Sequence, residues 1–181
     1  MDRVVVEGGK AMQIFKSKRS RMLLIILASI FAFGVTSAPA QDKVKVKFKK
    51  YIVITKYEST EVGDTEGHFL MQYEAKDISS DGRFITYKRA QGDYIKGTGA
   101  HKGYNEVVDR EGGTYFNKYE GITTTKKSPE GKPIKTVKGT YTYTKGTGKY
   151  EGIQGGGNYQ GMMIGKGIIS VDVEGEYFIK K

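Results

Sequence analysis

The sequence predicts an all-β protein, a single antiparallel eight-stranded barrel preceded by a signal peptide. Three observations carry that expectation. From residue 41 onward, apolar and polar residues alternate with period two almost everywhere. Glycine-rich turn signals break the alternation at short intervals, and no stretch keeps an apolar helical period long enough for a proper helix. Closely spaced strands joined by such turns make a sandwich or a barrel. Many glycines also fall inside strands, where bulges and barrel corners use them, which favours the barrel.

Residues 1–40 have the three parts of a secretory signal. Lys16, Lys18, Arg19 and Arg21 form a basic n-region, residues 22–35 are uncharged and apolar, and Ser37-Ala38-Pro39-Ala40 supplies an A-x-A cleavage site. The apolar run of about 14 residues is short of the ~20 that span a bilayer. Residues 1–11 fit an n-region poorly, and Met12 would open a more ordinary signal. The expectation is therefore that translation starts at Met12, with 41–181 as the exported domain.

In order, the expected strands are 43–58, bent, then 67–76, 82–89, 92–97, 102–109, 113–122, 134–145 and 158–178, the last broken near Gly165 and Gly167. In the first, Val44, Val46 and Phe48 alternate with lysines, and Ile52 and Ile54 continue the series. In the second, Phe69, Met71 and Tyr73 alternate with Leu70, Gln72 and Glu74. The last is the cleanest: Ile169, Val171, Val173, Tyr177 and Ile179 share one face, and Ser170, Asp172, Glu174 and Glu176 the other. Turns are expected at Asp81-Gly82, Glu111-Gly112-Gly113, Ser128-Pro129-Glu130-Gly131 and Gly155-Gly156-Gly157. A weak repeat relates 94–103 to 143–152 and reads as one tight corner used twice.

The chain has 30 Lys and Arg against 20 Asp and Glu. Six of the basic and two of the acidic residues precede residue 41, which leaves a moderate net charge of +6. The charges are interspersed except in the basic 43–50 strand, read as a solvated face or as an arm for an anionic surface. There is no cysteine, so the exported domain is held by its core and has no thiolate chemistry. Nucleotide binding is not expected. The Gly97-x-Gly99 and Gly146-x-Gly148 runs lack the strand-to-helix context of a dinucleotide loop. His68 and His101, in different strands, read as ordinary strand-end residues, and no metal site or cofactor is expected. No G-x-S-x-G elbow is present.

The thirteen tyrosines are the most distinctive feature. Tyr115 and Tyr119 share a strand face, as do Tyr141 and Tyr143. Packed structural tyrosine is the plain reading, and a cavity lined by several hydroxyls is the functional one. Export argues against a nucleic-acid partner. Among the strand carboxylates, Glu74 is a candidate to face the cavity and act there as an acid or base; most of the carboxylates alternate opposite apolar residues and read as solvated.

Gly112-Gly113-Thr114-Tyr115-Phe116-Asn117-Lys118-Tyr119-Glu120-Gly121 and Lys145-Gly146-Thr147-Gly148-Lys149-Tyr150-Glu151-Gly152-Ile153-Gln154-Gly155-Gly156-Gly157-Asn158-Tyr159 resemble the bacterial secreted relatives of the allene oxide cyclase and dirigent barrels. The resemblance covers roughly residues 67–178. It implies that Gly146, Gly148, Tyr150, Gly152 and Ile153 form a corner late in an eight-stranded barrel, with Tyr150 and Ile153 plugging one end. Plant members shape a hydrophobic cavity to steer a cyclisation or radical coupling. Their acidic and polar cavity residues match no positions here, so the activity does not carry over.

Three functions follow as expectations: an exported barrel binding a small apolar or aromatic molecule, a cyclase or isomerase, or an envelope- or partner-binding protein using the 43–50 strand. The mature form is expected to have no membrane span, and pairing of exposed edges or a barrel face would make homo-oligomers.

Overall fold

The computed structural model describes residues 42–180, and the signal-peptide reading lies outside them. Eight strands form: β1 (Val44–Glu61), β2 (His68–Ser79), β3 (Phe84–Ile95), β4 (Thr98–Asp109), β5 (Thr114–Lys127), β6 (Pro133–Thr147), β7 (Ile153–Gly165) and β8 (Ile168–Ile179). Each pairs antiparallel with its sequence neighbour, and β8 returns to β1 to close the barrel. Closure removes free strand edges, so the edge-pairing route to oligomers is gone.

The strand count agrees with expectation, but two boundaries do not. The expected strands 82–89 and 92–97 are one strand, β3. The expected 158–178 strand is two, β7 and β8, divided at Lys166 and Gly167. Gly155, Gly156 and Gly157 are no turn; they lie inside β7, paired with Tyr177, Glu176 and Gly175 of β8. The repeat is not one corner used twice either. Its first copy holds a two-residue hairpin, Lys96 (φ 51) and Gly97 (φ 77), the left-handed pair of a type I′ turn. Its second copy leaves β6 through a short 3-10 helix, Gly148–Tyr150.

Alternation sorts each strand into two faces. On β1 and β8 the outer faces are complementary: Lys47 pairs with Glu174 at 2.6 Å, Lys49 with Asp172 at 2.8 Å, and Lys43 with Glu176. These ion pairs are solvent-exposed and add little stability. They also spend much of the basic strand's charge within the molecule. A bulge at Thr55 shifts the phase of β1, bringing Ser59 to the inner face beside Phe69 and Met71 of β2.

One barrel end is plugged by aromatic rings. Tyr115 lies 5.3 Å from Tyr143 and 5.0 Å from Tyr150, both edge to face, and Phe48, Phe84 and Tyr177 complete the plug. Such pairs are worth about 0.5–1.5 kcal/mol each beyond area burial. Tyr150 reaches this position because the chain folds back over the end of β6. A Cβ on Gly146 would sit 1.9 Å from the Tyr150 carbonyl oxygen, and Gly148 takes the left-handed conformation (φ 59) that starts the turn.

Most strand-interior glycines let a neighbouring strand's backbone come close, and several of them also clear a tyrosine hydroxyl. A Cβ on Gly103 would meet the Tyr119 hydroxyl at 2.8 Å. On Gly121 or Gly139 it would meet the Tyr159 hydroxyl at 2.4 or 2.5 Å. Tyrosines therefore lie along the inner wall over neighbouring glycines, the arrangement by which aromatic rings cover strand glycines. Rings laid along the wall do not fill the centre.

Candidate functional site

The centre of the barrel holds a cavity of about 390 Å³. Its floor is the aromatic plug, represented by Phe48, Tyr115 and Tyr143. Its walls pass upward to Ser59, Phe69 and Lys135 at the opposite, solvent-facing end. Tyr115, Tyr119, Tyr141 and Tyr143 all line it, with Tyr73, Tyr94 and Tyr159. Burial raises the pKa of each of these seven phenols, Tyr73 to about 12, so they are neutral donors at ordinary pH.

Glu74 is not among them. It lies exposed on the outer face of β2, between the inward Tyr73 and Ala75, because it occupies the polar phase of that strand. Gly146, Gly148, Tyr150, Gly152 and Ile153 lie at the plugged end. Tyr150 and Ile153 are buried there and do not line the cavity.

Tyr150 belongs to a separate polar hub. Its hydroxyl donates to Asp109 Oδ2 at 2.5 Å, Arg83 and Lys149 reach the same carboxylate at 3.0 and 2.8 Å, and the Glu111 amide donates to Oδ1. Burial alone would push the Asp109 carboxyl up. The hydrogen bonds from Arg83, Lys149 and Tyr150 outweigh it and hold the group well below the usual carboxylate range.

The cavity also contains a polar row that the sequence reading passed over. Lys88 of β3, Asn105 of β4 and Asn117 of β5 stand directly opposite one another in the strand register. Lys88 Nζ donates to Asn105 Oδ1 at 2.8 Å, and Asn105 Nδ2 donates to Asn117 Oδ1 at 2.7 Å. The ammonium of Lys88 also lies 4.1 Å from the centre of the Tyr119 ring. Beside this row, Lys50 pairs with buried Asp77 at 3.0 Å. Burial pushes the Lys88 amine down to about 7, helped by the charge of Lys50 and opposed by that of Asp77.

His101 is no strand-end residue. It lies buried in β4, its Nε2 2.6 Å from the Tyr159 hydroxyl and its Nδ1 3.0 Å from Thr123 Oγ1. Burial and then Lys88 push it down to about 4, so the ring is neutral and its nitrogens divide donor and acceptor roles between the two hydroxyls. His68 does sit at a strand end. Asp64 (2.5 Å) and Asp93 (2.7 Å) take its two nitrogens and raise its pKa.

One signal could have found the interior polar residues. Lys50 follows the apolar phase of Phe48 and Ile52, Asp77 that of Tyr73 and Ala75, and Asn117 that of Tyr115 and Tyr119. A polar residue on the buried phase of a strand is the informative exception. Among the described residues, no group of three or more His, Cys, Asp or Glu is placed to hold a metal ion. No described helix is long and apolar enough to cross a membrane.

No protein-family model matches this sequence, and no curated protein matches it. Among solved structures, a protein of unknown function from the DUF3224 family of Shewanella oneidensis is similar at 15% identity and a TM-score of 0.52, over 77% of this chain and 99% of that one. That likeness shows a shared barrel fold. An exo-specific intermolecular Diels-Alderase matches at 13% identity and a TM-score of 0.46, over 75% of this chain and 98% of that one. A pterocarpan synthase dirigent protein matches at 9% identity and a TM-score of 0.46, over 77% and 97%.

Proposed function

We propose that this chain is an exported barrel that binds a small, largely apolar or aromatic molecule in its central cavity. The observation that carries the reading is a cavity of about 390 Å³ walled by seven tyrosines and by Ile52, Val107, Val171 and Val173, closed at one end and reachable from the other. Concave, mostly apolar sites with a few fixed polar groups are the usual form of small-molecule sites. The basic n-region, apolar run and A-x-A site support export.

Within this reading the ligand contributes acceptors rather than cations. Among the described residues no Asp or Glu lines the cavity, whereas Lys50, Lys88 and Lys135 do. The cyclase alternative rested on an inward carboxylate at Glu74 and loses that residue to the outer face. The 43–50 surface alternative is weakened by the ion pairs its lysines make across β8.

Native mass spectrometry of the protein purified from its own culture tests the proposal. A reproducible mass excess that disappears on denaturation is the expected result. A clean apo mass, together with no retention of added aromatic probes, overturns it.

A further inference from the structure

The cavity lysines are not equivalent. Lys50 is held by Asp77, and Lys135 stands at the mouth. Lys88 lies deep in the wall, 6% exposed, with no carboxylate ion-pair partner among the described residues. Its polar contact is one neutral amide oxygen, and the Tyr119 ring lies beneath it. An ammonium so placed has lost its water without gaining a counter-ion, and the free base is the form that burial favours. A buried, unpaired amine facing an apolar cavity is a nucleophile.

We propose that Lys88 captures carbonyl compounds, forming an imine with an aldehyde or ketone held in the cavity. This rests on the binding reading and names the ligand class for it. The Nζ lone pair adds to the carbonyl carbon, and the carbonyl π pair moves to oxygen. The two hydrogens of the neutral amine then leave with that oxygen as one water, and a C=N bond replaces C=O. No oxidant, reductant or metal is needed. The buried Tyr119 hydroxyl lines the same space and can donate to the departing oxygen. Asn105 fixes the amine from the side of β4.

The free-base fraction is supported by the downward push on Lys88 to about 7. The titratable groups around it are Lys50 from β1, Asp77 and Tyr73 from β2, His101 from β4, Tyr119 from β5, and Tyr141 and Tyr143 from β6. Among these, Lys50 acts with burial and Asp77 against it.

The test treats the full chain with naphthaldehyde and sodium cyanoborohydride near neutral pH, with naphthalenemethanol as a non-carbonyl match of similar shape. Intact mass and peptide mapping then locate any reduced adduct. The expected result is one addition per chain, on Lys88, forming at least about tenfold faster than on any surface lysine, whose amines are almost fully protonated at that pH. Lys88→Arg and Lys88→Met abolish it; mapping on the unaltered chain keeps the test valid should either fail to fold. If the alcohol is retained but the label is absent from Lys88 or spread evenly over surface lysines, carbonyl capture is wrong and the binding reading stands. If neither compound is retained and Lys88 is unlabelled, both fail.

Discussion

The plugged end of the barrel and its centre use the same side chains, tyrosine, lysine and aspartate, and use them differently. At the plugged end Tyr150, Arg83 and Lys149 converge on Asp109, and the rings of Tyr115, Tyr143 and Tyr150 meet edge to face. In the centre Asp77 Oδ1 is buried without a partner, the Tyr119 and Tyr141 hydroxyls have only neighbouring phenols, and Lys88 leans on an amide and a ring. A satisfied polar hub stabilises a fold; buried polar atoms left unpaired cost about 1–3 kcal/mol each. Lys88 and the Tyr119 and Tyr141 hydroxyls stand beside open space, the composition of a site rather than of a core.

The largest effect that would sharpen this contrast is at Asp109. Asp109→Ala should lower unfolding free energy by about 3 kcal/mol in urea titrations, because it strips Tyr150 of its acceptor and parts two cations from their carboxylate. The sign with pH is fixed by the lowered carboxyl. Its contribution is complete above the ordinary unfolded carboxylate pKa and is lost as pH falls through the native value, so variant and parent should converge in strong acid. Equal sensitivity at pH 7 and in strong acid would contradict the hub.

Ring clearance comes next. Gly121→Ala puts a Cβ 2.2 Å from the Lys138 carbonyl oxygen and 2.4 Å from the Tyr159 hydroxyl. We expect a loss of about 2 kcal/mol and a changed environment for His101, followed through its imidazole NMR signals. Unchanged His101 signals would show that Tyr159 is not held by the glycine wall.

Removing Lys88 should stabilise where removing Asp109 destabilises, although both native pKa values are depressed and both contributions improve as pH rises. At Lys88 the unfolded chain binds more protons between about 7 and the ordinary lysine value near 10.4, and stability rises with pH across that window. Lys88→Met should therefore match or exceed the parent near pH 6, by up to about 2 kcal/mol, with the advantage shrinking by pH 9. A Lys88→Met variant less stable than the parent near pH 6 would show instead that the buried amine is a stabilising contact.

The smallest effects lie outside both regions. His68, with its raised pKa, should hold Asp64 and Asp93 at low pH and release them as pH rises through its native value, visible in an NMR titration. Lys47→Gln and Lys49→Gln should leave the urea midpoint unchanged, since their ion pairs are exposed.

By itself the sequence determined the all-β class and the alternation along β1 and β8, and it named four of the seven tyrosines that line the cavity, because strand alternation is a local property of the chain. It misjudged where strands join, since Gly155, Gly156 and Gly157 look like a turn until β8 pairs with them. It also missed the polar interior. Lys88, Asn105 and Asn117 are 12 to 29 residues apart, and only the register of three neighbouring strands sets them side by side. Whether tyrosines fill a barrel or wall it was likewise a tertiary matter. It depended on which glycine the neighbouring strand placed beneath each ring, a question of register that no single strand carries.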